Sequence, residues 1–502
     1  MLVGIAVAVL AAALCLHDGR VGYMPLDQSI VFDGGWRILG GQVPFRDFTT
    51  PSGLVPIVLQ AAFFRLLGVN WLVYCVHAAV FNGLFAVAVY ALLRLFALPP
   101  AAAAAYALLS GVVFYPPFGV PFMEQHAFFF SLLFVASLAA AARSEGWAWA
   151  AGPAIVLAYL SKQIPTAFVL PAALLAAPRV RGRASLRAAG SLAAVLVLLA
   201  LVAWTAGVDR RLVAEYFLAL PAREAGSRLA DVHSAGRAAA VLAEAVTAWG
   251  LVTVPLAAAL AIALLLRRDG NRRPPALALA LLAACALFSA FTNNEEENGI
   301  AYAFVALGLV HAAGRGHLPG RWRRLAGAAL VALAIADAGR FELRVNRPRR
   351  VHGLTQVPPA SPLEQAQVPP ALRFLRWRLH PFYGYTPDDL SRLASFLAAQ
   401  PDAFLLIGDT SILYALTGKP SVNPALWFHR RLTLPGRQTA AFRDYEDRLL
   451  ASLRRARARY VVVEGRETYE GTSLAHFPAV QALVRGDGPR FGPFRVLELA
   501  PP

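Results

Sequence analysis

Cysteine and charge are what this chain has least of. Three cysteines stand in 502 residues: Cys15, Cys75 and Cys285, each in an apolar run and far from the others. None has a second cysteine at metal-ligand or redox spacing, so a disulfide framework, a zinc knuckle and a CxxC centre find no support. Charged residues make up 15% and hydrophobic ones 58%, with a mean hydropathy of +0.53. A soluble chain of this length is not that apolar. There is no P-loop, no GxGxxG after a strand and no repeat of fixed period. The formal net charge of +17 would point to nucleic acid if it were clustered on a soluble domain. Much of it instead lies in short loops between apolar runs, so nucleic acid is not expected as a partner.

Apolar runs fall at 1–16, 71–96, 99–115, 124–142, 147–160, 164–178, 188–206, 247–266, 275–291, 299–313 and 325–340. Runs of this kind are each read as long enough to cross about 30 Å of hydrocarbon, which gives about eleven spans and puts the two termini on opposite sides. The pair 147–160 and 164–178 is short and open to a re-entrant reading. Arg94, Arg143, Arg179–Arg187, Arg267–Arg273 and Arg315–Arg324 fall in loops on one side of this pattern. Positive residues in short loops stay cytoplasmic, so the expectation is a multi-pass protein of the inner (plasma) membrane with a cytoplasmic N-terminus. Met1 to Leu16 has no basic n-region for a signal peptide, and Leu14 before Cys15 is too bulky for lipoprotein cleavage.

The first outer loop, 17–70, is where chemistry concentrates. It sets Asp27, Asp33 and Asp47 on a Gly-rich, aromatic segment, LDQSIVFDGGWRILGGQVPFRDFTTPSG. Asp27 opens a short helical segment, and Pro44-Phe45-Arg46-Asp47-Phe48 reads as an extended turn. Such a loop can hold a catalytic carboxylate at a membrane surface, or be an interfacial amphipathic helix with solvated acids. Residue types alone leave both open.

Beyond Arg340 the texture changes to Pro-rich punctuation with short helices and strands. Leu390–Ala399 reads as an amphipathic helix, Ala403–Ile407 as a buried strand, Tyr445–Ala458 as a basic helix, and Tyr460–Val463 and Phe494–Leu499 as strands. Strands alternating with helices of this length predict a small α/β unit with a mainly parallel sheet, outside the cytoplasm by parity. The expected fold class is therefore mainly α: a polytopic membrane helical bundle, 1–340, with a C-terminal extracytoplasmic small α/β domain, 341–502.

The loop motif, an acidic residue, then a helix ending Gly40-Gly41-Gln42-Val43-Pro44-Phe45-Arg46-Asp47-Phe48, then Pro51 and Gly53, resembles the GT-C superfamily of polytopic glycosyltransferases. Its members include protein O-mannosyltransferase-like proteins and aminoarabinose transferases. The resemblance covers the span order, the loop and the trailing α/β domain. It implies transfer of a monosaccharide from a polyprenyl-phosphate carrier to a lipid, glycan or protein acceptor on the outer face, with inversion. The family's first acidic position matches Asp27, which the resemblance makes the general base. Phosphate leaves without protonation, so one carboxylate serves, whereas glycosidases need an acid and a base. Many relatives carry Asp-Glu there, and this chain has Asp27-Gln28, which removes a second charge. Asp47 matches a later acidic position, read as acceptor positioning or loop support.

Ser161-Lys162-Gln163, between two short runs on the outer side, resembles a Lys-Gln pair of bacterial relatives. A lysine at the hydrocarbon edge is expensive and tends to have a partner, so Lys162 and Gln163 are read as donor-phosphate ligands, with Arg46 competing for that role. The alternative for Lys162 is a snorkelling anchor. Glu124 and His126 begin the fourth run on the same face and are candidates for binding sugar or acceptor, against a plain satisfied histidine. Glu295, Glu296 and Glu297 are oxygen ligands that would suit a hard cation, but three consecutive carboxylates point apart, and a solvated loop is the preferred reading. No metal or other cofactor is expected, although a divalent cation stays open. The loop 207–246 reads as an amphipathic helix on the outer surface. Two other classes compete: a transporter or flippase of lipid-linked sugars, which would show internal hydropathy repeats, and a non-catalytic scaffold, which needs no acidic loop.

Overall fold

The computed structural model of the protein describes residues 2–177, 182–223, 243, 251–267, 272–292, 300–430 and 432–500. Glu295, Glu296, Glu297 and most of the predicted helical loop 207–246 lie outside them. The helices in chain order are α1 Leu2–Gly19, α2 Pro25–Leu39, α3 Leu54–Leu67, α4 Trp71–Leu95, α5 Pro100–Val113, α6 Met123–Ala141, α7 Ala151–Ser161, α8 Gln163–Ala176 and α9 Arg183–Thr205. The helices Thr253–Leu266, Arg273–Thr292, Ala303–Gly314 and Gly320–Phe341 follow. Each predicted apolar run thus contains a helix among its described residues. Four of these, α1, α4, α6 and α9, are both long and apolar enough to cross a membrane. At about 1.5 Å per residue, α7 and α8, with 11 and 14 residues, each fall short of a hydrocarbon core of roughly 30 Å.

The chain divides into two compact units. One comprises Met1–Asp18, Ala78–Trp204 and Pro221–Val351; the other comprises Gly19–His77, Thr205–Leu220 and His352–Pro502. The outer loop is therefore grouped with the C-terminal third, not with the helices that flank it in sequence.

In the helical unit, small and polar residues bring the helices together. A Cβ on Gly83 of α4 would lie 2.8 Å from the Ala8 carbonyl oxygen, so only glycine lets α1 approach there. Beside it, buried Asn82 donates to the carbonyls of Ala11 (2.8 Å) and Gly111 (3.0 Å), tying α1 and α5 to α4. Inside a lipid-solvated bundle such hydrogen bonds replace the water the amide would otherwise need. Tyr302 donates to the Phe128 carbonyl at 2.6 Å.

In the second unit, α2 packs on α3 through Gly34 and Gly35, where a Cβ would meet Ile57 at 2.5 Å and Gln60 at 2.7 Å. Strand β1 Val21–Tyr23 pairs in parallel with β2 Arg376–Leu379. A second sheet contains β3 Ala403–Ile407, β4 Ala458–Glu464, β5 Val484–Phe491 and β6 Phe494–Leu499, in the order β3-β4-β6-β5. Only β3–β4 is parallel there; β4–β6 and β6–β5 are antiparallel. The expectation of a mainly parallel sheet is corrected to a mixed one. The reason is the two-residue Gly492-Pro493 connection, with Gly492 at φ 54, which folds β5 and β6 into a hairpin. Helix Pro387–Ala399 starts at a capping box formed by Thr386 and Asp389. Helix Ala440–Ala456 begins five residues earlier than its predicted start at Tyr445, behind a Thr439 cap. Both faces of β3 are buried; one packs with Phe442, Tyr445 and Leu449 of that helix in the unit's core.

Candidate functional site

The outer loop gives its three carboxylates three different fates. Asp33 sits on α2 with its side chain wholly buried. Arg37 donates to it from Nε at 2.8 Å, one turn along the same helix, and Ser421 Oγ donates at 2.5 Å. Arg37 spends its other donors on the carbonyls of Asn423 (2.6 Å) and Ala425 (3.4 Å) and lies over the Phe48 ring at 5.2 Å. Burial pushes the Asp33 carboxyl up, against the pull of Arg37 and Ser421. This is an internal strut that fastens α2 to the segment 421–425.

Asp47 holds the turn that follows. Its Oδ2 accepts from the Val43 N–H at 2.8 Å and from Arg46 Nη2 at 2.7 Å, while Arg455 stands 3.8 Å from Oδ1. Partial burial raises its pKa, but the hydrogen bonds from Arg46 and Val43 outweigh it and hold the carboxyl below the usual range. Arg46 also donates to the Ala206 carbonyl. The cation expected at a donor phosphate and the acid expected at an acceptor are thus bonded to each other.

Asp27 is placed differently. Met24 is the N-cap of α2, Pro25 takes its first position and Asp27 lies in the first turn, half-buried. Pro at N1 loses no hydrogen bond, because that N–H has no helical partner. An acid in the first turn is favoured in its charged form by the helix dipole. The turn is fixed on both sides of Asp27. The Leu26 N–H donates to the Tyr383 hydroxyl (3.3 Å), and Gln28 Oε1 accepts from the Met24 N–H (2.9 Å). Gln28 Nε2 lies 3.2 Å from His352 Nε2. Gln28 is fully buried, so an acid at this position would be a desolvated charge. The amide closes the helix start without one.

In the helical unit a second group forms around the break between α7 and α8. Lys162 is at once the C-cap of α7 and the N-cap of α8, in an extended conformation. Its ammonium pairs with Glu124 of α6 and lies 5.6 Å from the centre of the Phe288 ring. Glu124 is buried, and its Oε2 has no hydrogen-bond partner among the described residues. Gln163 is the first residue of α8 and is also buried. His126, fully buried, has Nδ1 2.6 Å from the Tyr115 hydroxyl and 2.9 Å from the Phe122 carbonyl, with the Phe81 ring at 4.5 Å. The structure brings Glu124 and Lys162 together, and separately Arg46 and Asp47. Sequence reasoning missed Arg37, Gln28 and Tyr383 as the residues that orient the loop. Arg37 four residues after Asp33 was a readable helical pair; Tyr383 left no local signal.

No protein-family model matches the sequence, and neither does any curated protein. Among solved structures, the crystal structure of ArnT from Cupriavidus metallidurans bound to undecaprenyl phosphate is similar, with a TM-score of 0.56 and 13% identity. The similarity covers 99% of this chain and 97% of that one. Over essentially its whole length, then, this chain is similar in fold to ArnT.

Proposed function

We propose that this protein is a multi-pass membrane glycosyltransferase that moves a monosaccharide from a polyprenyl-phosphate carrier to a hydroxyl of a lipid, glycan or protein acceptor. The observation that carries the reading is the whole-chain likeness to a structure of ArnT bound to undecaprenyl phosphate. In this reaction that lipid is what remains when the sugar leaves. The acceptor oxygen attacks the anomeric carbon in line, the bond from that carbon to the phosphate oxygen breaks, and polyprenyl phosphate departs as an anion. The acceptor proton passes to a carboxylate, which we assign to Asp27. Attack from the face opposite the leaving group inverts the anomeric centre.

Asp27 is assigned on its place: it stands half-buried in the first turn of α2, at a helix start held by the Leu26–Tyr383 and Met24–Gln28 hydrogen bonds. Asp33 and Asp47 each have an arginine partner and a structural task in the loop. Lys162 and Gln163, at the N-terminal end of α8, are suited to the donor phosphate, because helix starts and cations favour anions. Glu124 then serves to hold the Lys162 ammonium in place. Arg46 and Asp47 shape the turn of the loop.

Asp27→Asn keeps size and removes basicity. General-base catalysis is worth about 10²–10⁴ in rate, so the variant is expected to lose transfer while expression is kept. Mass spectrometry of lipid-linked sugars and outer glycans from cells with wild type, no protein or the variant reads the outcome. Full restoration of the missing sugar by Asp27→Asn would remove Asp27 as the base.

A further inference from the structure

A cavity of about 290 Å³ opens in the α/β part of the second unit, lined by Phe382, Tyr383, Asp409, Glu464 and the segment 465–468. That is near the lower end of the roughly 300–1,000 Å³ typical of small-molecule pockets. Its place follows from topology. β3 and β4 are adjacent and parallel, Asp409 stands two residues past β3, and Glu464 ends β4. Ligands of open α/β sheets bind outside the carboxyl ends of the strands.

The two carboxylates are built in differently. Glu464 accepts from the N–H groups of Asp409 (2.7 Å) and Thr410 (3.0 Å) and from the Thr410 hydroxyl (2.5 Å). A Cβ on Gly408 would come within 2.4 Å of Glu464 Oε2, so glycine is what lets the carboxylate lie under the loop. Asp409 is 4% exposed. Its Oδ2 accepts from the Tyr469 N–H (2.7 Å) and the Tyr383 hydroxyl (3.2 Å), and its Oδ1 has no partner among the described residues. A buried carboxylate oxygen without a donor is costly and calls for one.

The rest of the lining narrows the class of donor. Phe382 is 46% exposed and meets Tyr469 edge-on at 5.2 Å, leaving an aromatic wall beside the acids. The carboxylates of Asp409, Glu464 and Glu467 against the one guanidinium of Arg466 disfavour an anion. Among the described residues no three His, Cys, Asp or Glu side chains are grouped to hold a metal ion. A ligand with hydroxyl donors on its rim and an apolar face for the aromatic wall is a sugar ring.

We propose that this cavity binds a single sugar unit, with Asp409 accepting from its hydroxyls, Arg466 donating to them and Phe382 stacking on its carbon face. Burial and the like charge of Glu464 push the Asp409 carboxyl up to about 7, so near neutral pH it both accepts and donates. The pocket reaches the candidate base through one residue, since Tyr383 also contacts Leu26. A role as the acceptor subsite rests on the glycosyltransferase reading; binding itself does not.

The test uses the full-length protein in an amine-oxide detergent free of sugar head groups. Saturation-transfer NMR is run with glucose, galactose, mannose, N-acetylglucosamine and glucosamine. At least one is expected to bind, with affinity reduced tenfold or more in Asp409→Asn and in Phe382→Ala, each checked for an intact thermal melt. Should one variant melt early, the other decides. Binding by none of the five sugars, or equal binding in a well-folded variant, would overturn the proposal. So would a thermal shift that needs Asp409 but is given by calcium chloride and by no sugar. Transfer by Asp27→Asn does not enter this test, so the two readings fail separately.

Discussion

Replacing Arg37 by Met tests whether Asp33 is a strut or a reactive group. The substitution removes the ion pair at 2.8 Å and the donors to the Asn423 and Ala425 carbonyls. Asp33 keeps one donor, Ser421, in a place where its side chain has no exposure. The charge does not stay uncompensated indefinitely, because the carboxyl takes up a proton instead. Measured from an ordinary pKa near 3.9 the cost is about 1.4 kcal/mol per unit, about 4 kcal/mol at pH 7. The wild type, whose Asp33 is already pushed up by burial, carries part of it, so about 4 kcal/mol is the ceiling for the loss. Removing one partner of a buried pair typically costs about 3–5 kcal/mol, which agrees. For a unit of this size the loss corresponds to roughly 10 °C in melting temperature. Cys15, Cys75 and Cys285 are all buried, so a thiol-reactive dye reports unfolding on heating. Without Arg37, which pulls the Asp33 carboxyl down in the wild type, that carboxyl rises further in the variant. The deficit should therefore be greatest at pH 7 and shrink toward about pH 4, where the carboxyl is protonated in the unfolded chain too. Asp33→Leu combined with Arg37→Met should recover most of the loss. An Arg37→Met protein that melts like wild type at pH 7 would refute the strut.

Asp409 gives a second pH signature. Its native pKa of about 7 lies above the ordinary carboxyl value, so its contribution to stability falls as pH rises from about 4 to 7. Asp409→Asn should therefore raise the melting temperature at pH 8 and flatten its decline across that window; an unchanged profile would count against a buried acid. Gly408→Ala must displace the Glu464 carboxylate, at a cost of about 1–3 kcal/mol, read as a lower melt. Lys162→Met alone leaves Glu124 buried and unpaired, so a loss of fold is expected to confuse its effect on donor use. Glu124→Gln with Lys162→Met should restore the melt while leaving donor binding weak, and full donor affinity in that double variant would take Lys162 out of the phosphate site.

The helices were legible because an apolar run of sufficient length has few alternatives, and each predicted run holds a helix among its described residues. The start of helix Pro387–Ala399 carries Thr386-x-x-Asp389, a readable cap. Strand β5 was missed because Val484–Phe491 is mostly exposed and rich in glycine and charge, with no alternation to betray it. The loop acids were visible as a group, but their division was not. Asp33 is held partly by Ser421, 388 positions away, and no local pattern separates it from Asp27. The sugar cavity was equally hidden, since Asp409 and Glu464 meet only once β3 and β4 pair.

The pairing of the outer loop with the end of the chain has a consequence in time. Leu26 waits for Tyr383, 357 positions later, and Arg37 for Asn423, 386 positions later. At about 5–20 residues per second, the ribosome needs roughly 20–70 s to supply the first of these partners. Until then α2 carries an internal ion pair with no interior around it, and its first turn lacks the hydroxyl that fixes it. Chains cut short before residue 383 should insert their helices and still hold no ordered loop. The residue proposed as the base is made among the first and set in place among the last.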